Sequence, residues 1–148
     1  MSEPETPRVS GLGLLRWVGW AQRKAAEDWI RERGLSFEQG FVLGYLVEAP
    51  GAIQRDIAEM TRTSAASVSS LLQGLERRDL VERRTEGGNE RSKRVYATPA
   101  GAELVAGFEE AMVAADDVIL APLTEQERTE LKRLLEKITA GLPEPRRP

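Results

Sequence analysis

Residues 64–101 read SAASVSSLLQGLERRDLVERRTEGGNERSKRVYATPAG, and this run decides the fold because its apolar period changes partway along. Val68, Leu71, Leu72 and Leu75 recur at helical spacing, and Ser64 stands where an N-cap belongs, predicting a helix from Ala65 to about Arg78. Beyond it, Val81-Glu82-Arg83-Arg84 and Arg94-Val95-Tyr96-Ala97 alternate apolar with polar residues, as half-buried strands do. Between them Thr85 to Lys93 is charged and bears glycine, which predicts a hairpin tip. Thr98-Pro99-Ala100-Gly101 then restarts a helix, with Thr98 as cap and Pro99 in the first turn, where its missing N–H costs nothing.

Upstream, Thr61-Arg62-Thr63 reads as a brief turn after a short helix from about Gln54 to Met60, with Ile57 and Ala58 inward. Ser36-Phe37-Glu38-Gln39 fits a capping box and opens a helix that buries Val42, Leu43 and Leu46 before Ala49-Pro50-Gly51 stops it. A first helix spans Leu14 to Arg33, with Leu14, Trp17 or Val18, Ala21, Ala25 and Trp29 at helical spacing and Gly34 at its end. Downstream, one long helix is expected from about Pro99 to Leu120, with Leu104, Val105, Phe108, Met112, Ala115 and Ile119 along one side. Pro122 breaks it, and Thr124-Glu125-Gln126-Glu127, a second capping box, starts a last helix burying Leu131, Leu134, Leu135 and Ile138.

The expected fold is therefore mainly α with a small two- to three-stranded β wing. A winged helix-turn-helix over 36–98 is flanked by an N-terminal dimerisation helix (14–35) and C-terminal dimerisation helices (99–140). Residues 1–13 are expected to form a flexible arm and 141–148 a disordered tail. The apolar stripes of the outer helices exceed what a winged core can cover, which points to a homodimer.

Composition narrows the function. The chain has no cysteine and no histidine, which excludes disulfides, thiolate metal sites, thiol redox sensing and the usual catalytic base. No catalytic residue, metal or cofactor is implied. Met1 to Pro7 is polar and acidic, unlike a signal peptide, and no apolar run approaches the roughly 18 residues of a membrane span, so a cytoplasmic location is expected. The net charge is −3, which does not by itself advertise nucleic-acid binding. Its distribution does more: Ala52 to Thr98 holds nine Lys/Arg against seven Asp/Glu, and the remainder twelve against seventeen. A basic middle on an acidic frame suits a protein that turns one face to phosphates.

Two helices joined by a tight turn let the second lie in the major groove of double-stranded DNA, and a hairpin tip beside it reaches the minor groove. The contacts expected are Arg55, Ser64, Ala65, Ala66, Ser67, Ser69, Ser70 and Gln73 on the helices, with Arg84, Asn89, Arg91 and Lys93 on the wing. Gln73 can pair with adenine N6/N7, whereas its small neighbours permit close approach but attract phosphates little.

The runs Gln54 to Ala58, Ser64 to Leu75, Leu80 to Arg83 and Asn89 to Gly101, with one long helix before and two after, resemble the MarR family of bacterial regulators over roughly Leu14 to Ala140. The resemblance implies a triangular homodimer on a pseudo-palindromic operator, typically a repressor released by a small, often phenolic ligand bound between the dimer and DNA-binding parts. Two positions depart from the family. Asn89-Glu90-Arg91 stands where Asp-x-Arg is usual, and Ser70 where arginine is frequent on the recognition helix.

Arg16, Trp17, Trp20 and Arg23 on the first helix, with Phe41 and Tyr45 on the second, are candidates to line a pocket for a small aromatic effector. The alternative is that these aromatics pack the junction between the dimer and winged parts. Asp116-Asp117 and Glu109-Glu110 read as a charged surface face. Two rival functions stand beside the regulator. One is a winged-helix protein that contacts other proteins, favoured by the net acidity and the neutral helix face. The other is a small enzyme, which would need a nucleophile–base pair the serines have no histidine to complete.

Overall fold

The computed structural model describes residues 10–86 and 93–145. Ser10 accepts a hydrogen bond from the Gly13 amide at 3.0 Å and starts α1 (Gly11–Glu32). Residues 11–13 are thus helical and not part of a flexible arm. The two glycines hid this start, because apolar periodicity begins only at Leu14. The Ser36–Gln39 capping box forms as expected, with reciprocal bonds of 3.0 and 3.1 Å opening α2 (Phe37–Glu48). After β1 (Ala52–Ile53) come α3 (Gln54–Thr61) and α4 (Ala65–Arg77), separated by a turn in which Arg62 takes the left-handed conformation, φ 54°.

Strands β2 (Val81–Thr85) and β3 (Lys93–Ala97) pair antiparallel, with Arg83 opposite Val95 and Glu82 opposite Tyr96. β1 adds to the other edge of β3, Ala52 opposite Val95, so the sheet order is β1-β3-β2. The most deeply buried side chains are Val42, Leu43, Leu46, Ile57, Val68, Leu72, Leu75 and Val95, all from the winged unit, with Ile30 and Leu35 joining from the end of α1 and the turn after it.

The single long helix expected from Pro99 to Leu120 is instead two. α5 (Pro99–Val105) ends at Ala106, whose backbone is extended, and Gly107 turns at φ 84° before α6 (Phe108–Ile119). Apolar spacing runs across the break uninterrupted, and Gly107 takes a positive φ that a side chain resists. α7 (Glu125–Thr139) begins at the second capping box, Thr124 with Glu127, and these bonds hold the Glu127 carboxyl below its ordinary range. Gly141 and Leu142, expected in a disordered tail, turn back onto the carbonyls of Ile138 and Thr139.

α6 packs along α1. The Trp29 and Phe108 rings meet edge-on with centroids 5.3 Å apart, and Gln22 donates to Asp116 at 3.0 Å. Arg128 ties α7 to Asp117 at 3.1 Å. Among the described residues nothing covers the outer side of this layer. Leu134 and Ile138, expected to be buried, are 43% and 51% exposed.

Candidate nucleic-acid interface

Val68, Leu72 and Leu75 seat α4 on the core, which turns its opposite side outward. At its start the Ser64 hydroxyl accepts from the Ser67 amide at 3.1 Å and donates to the Ser67 hydroxyl at 3.0 Å. Gln54 of α3 donates to the Ala65 carbonyl at 3.1 Å, bracing one helix on the other. Ala65, Ala66, Ser67, Ser70 and Gln73 are exposed. Ser69 is only half exposed, because it is rotated toward β2. Arg77, which the sequence reading left out, is exposed four residues beyond Gln73 and so lies one turn along the same face. That spacing was the available signal. Arg62, exposed in the turn before α4, was missed too. On α3, Arg55 is well exposed, 3.7 Å from Glu59.

Arg84 and Arg94 lie on the Tyr96 side of the wing, away from α4. The Arg84 guanidinium lies 4.4 Å over the Tyr96 ring and pairs with Glu82. Arg94 approaches Glu86 at 3.1 Å and donates from Nη1 to the Gly51 carbonyl at 3.0 Å. The Tyr96 hydroxyl donates to Glu86 at 2.5 Å. That bond, partial burial and the carboxylate's charge raise the Tyr96 phenol above its ordinary range, against the charges of Arg84 and Arg94. Lys93 is exposed opposite Thr85. Asn89 and Arg91 lie outside the described residues.

The candidate effector residues divide. Trp17, Trp20 and Arg23 line an open groove of about 720 Å³ along α1, together with Ala21, Lys24, Glu27, Asp28 and Arg31. Arg16, Phe41 and Tyr45 are not in its lining. Phe41 stacks on Phe37 with centroids 6.3 Å apart, and Tyr45 packs half-buried on the core. Arg23 sits 4.9 Å over the Phe37 ring and 2.8 Å from Glu27, so it joins the two groups. In the groove the Lys24 hydrogen bond holds the Asp28 carboxyl below its ordinary range against the opposing effect of burial, helped by the charges of Lys24 and Arg31. Among the described residues no group of His, Cys, Asp or Glu could hold a metal ion, and no helix is long and apolar enough to cross a membrane.

Comparison with known proteins agrees with this geometry. The sequence model of the MarR family matches residues 33–92. The HTH-type transcriptional repressor Rv2887 of Mycobacterium tuberculosis is 29% identical over 125 residues, 84% of this chain and 90% of that protein. MepR, a transcription regulator of the Staphylococcus aureus multidrug efflux pump MepA, superposes with a TM-score of 0.81 at 28% identity, covering 90% of this chain and 99% of MepR. MepR has also been solved with DNA (TM-score 0.68, 29% identity, 88% and 98% covered) and with ethidium bromide (0.62, 27%, 93% and 100%). A structure from Clostridium acetobutylicum assigned to the same family of transcriptional regulators is 33% identical, with a TM-score of 0.69, over 87% of this chain and 95% of that one.

Proposed function

As a member of the MarR family this chain is a DNA-binding transcription regulator and not an enzyme, and we propose that it acts in the cytoplasm as a homodimeric repressor on a pseudo-palindromic operator. The observation that carries the reading is the seat of α4. A helix braced by α3 and buried along Val68, Leu72 and Leu75 turns a face of small side chains and Gln73 outward, beside a hairpin bearing exposed cations. Ala65, Ala66, Ser67, Ser70 and Gln73 enter the major groove. Ser64 and Ser69 set the approach of α4, Arg55 meets phosphate, and Arg84, Asn89, Arg91 and Lys93 serve the wing contact. Arg77 and Arg62 join the phosphate contacts.

Dimerisation is supported by the large apolar side chains that one chain leaves exposed. Leu12, Trp17 and Trp20 on α1 and Val113 and Val118 on α6 are each between 63% and 77% exposed. An aromatic effector is the finer part of the proposal. It would use Trp17, Trp20 and Arg23 in the groove of α1, with Arg16, Phe41 and Tyr45 brought to it by the partner or by closure. MepR's structure with ethidium bromide supports the ligand class.

Gln73→Ala tests how α4 reads DNA. Gln73 is the expected bidentate partner of adenine, so its loss should relax preference at one base pair per half-site, at a cost of about 1–3 kcal/mol. Duplexes bound only through phosphates should be affected far less. Competition titrations against sites permuted one base pair at a time measure this. Equal weakening of all sequences would mean that Gln73 only positions the backbone.

A further inference from the structure

On β2 the side chains alternate, and Arg83 falls on the same side as buried Val81, while Glu82 and Arg84 fall on the side of Tyr96. Arg83 therefore points back at α4 and not toward solvent. Its side chain is 19% exposed, against 58% for Arg84. The guanidinium pairs with the Glu76 carboxylate, and Nη2 donates to the Ser69 backbone carbonyl at 3.5 Å. Ser69 and Glu76 are two helical turns apart, so this one side chain lies along the flank of α4. Among the described residues it makes the only ion pair between the wing and that helix.

β3 is anchored to β1 and, through Arg94, to the Gly51 carbonyl, whereas β2 is the outer strand, seated by buried Val81, and its far half can rock against α4. Rocking would leave phosphate attraction intact, since exposed cations still find the backbone, but would uncouple the wing from the bases read by α4. A guanidinium held by the charge of a carboxylate and by one directional hydrogen bond to a carbonyl resists that motion better than apolar contact alone. We propose that Arg83, through Glu76 and the Ser69 carbonyl, is a positioning residue that sets the angle between wing and recognition helix, and with it operator preference, without touching DNA. This rests on the reading that α4 enters the major groove.

The test uses the full-length protein and the duplex that it enriches from a random pool, compared with a scrambled duplex of equal length. Arg83→Gln and Glu76→Gln should each weaken the enriched duplex about tenfold, with the scrambled one bound as before and the salt slope unchanged. The reversed pair, Glu76→Arg with Arg83→Glu, should recover most of the preference. Arg83→Lys, which keeps the charge but loses the fork, should fall between and serves if Arg83→Gln does not fold. A salt slope lower by about one, with all duplexes weakened alike, would make Arg83 a phosphate contact and overturn the proposal. So would a reversed pair no better than the single variants, or full preference in both of them. A wild-type protein that enriches no sequence would overturn the functional reading and this inference together.

Discussion

Placing glutamate at both Val118 and Ile138 should turn the protein into a monomer and weaken operator binding by about 10²–10⁴-fold. Val118 on α6 is 75% exposed and Ile138 on α7 51% exposed, so neither contributes much to the core of its own chain. In a symmetric dimer each would face apolar surface twice over, and a buried carboxylate without a partner is costly. The affinity loss follows from valency. Two half-sites engaged by one particle act at the effective concentration set by the dimer, and separating them forfeits that gain without removing any DNA contact. The winged core, built from Val42, Leu43, Leu46, Ile57, Leu72 and Leu75, should keep its helical content. Light scattering and a duplex titration read both effects. A variant that remains dimeric would place the interface elsewhere.

Gly101→Ala should cost about 3 kcal/mol and lower the melting temperature by roughly 10 °C. A Cβ at Gly101 would lie 2.1 Å from the Leu80 carbonyl oxygen and 3.0 Å from its carbon. These are backbone atoms and cannot swing aside. Leu80 is held further by the Thr98 amide, which donates to the same oxygen at 3.0 Å, and by the Thr98 hydroxyl, which donates to Asp79 at 2.7 Å. The first turn of α5 is thereby fastened to the start of β2. Gly107→Ala is the control, because there nothing lies within 4 Å and the cost is conformational alone, about 1–2 kcal/mol at φ 84°. Equal losses at the two positions would contradict the packing described.

Thr98-Pro99-Ala100-Gly101 also illustrates what a sequence reveals. The cap, the proline and the helix that follows act through atoms a few residues apart, and all were legible. The same holds for Ser36 with Gln39, Ser64 with Ser67, and Thr124 with Glu127, whose hydrogen bonds are local. Features fixed by contacts distant in sequence were not. The requirement for glycine at 101 comes from Leu80, and β1 is two residues long, too short to show a period. The break at Gly107 was masked because Leu104, Val105 and Phe108 keep helical spacing across it.

The site divides along the same line. The outward residues of α4 followed from the helical period, which also should have yielded Arg77. Arg83 reads in sequence as an ordinary charged residue of an exposed hairpin. Only its parity with Val81 hinted that it faces inward, and its partners Ser69 and Glu76 follow from how β2 lies against α4. The aromatic set suffered most from reading helices separately, since the groove of α1 takes in Trp17, Trp20 and Arg23 while Phe41 and Tyr45 pack elsewhere on α2.

The protein is expected to bind DNA sequence-specifically as a dimer whose two α4 helices enter successive major grooves. Selection of bound duplexes from a random pool by the purified protein, followed by salt titration on the enriched sequence, tests it most directly. The expected result is a two-fold symmetric site with half-sites about 34–36 Å apart, or a multiple of that, bound by one dimer with far weaker affinity for scrambled DNA. A pool no different from its starting composition after repeated rounds would contradict it.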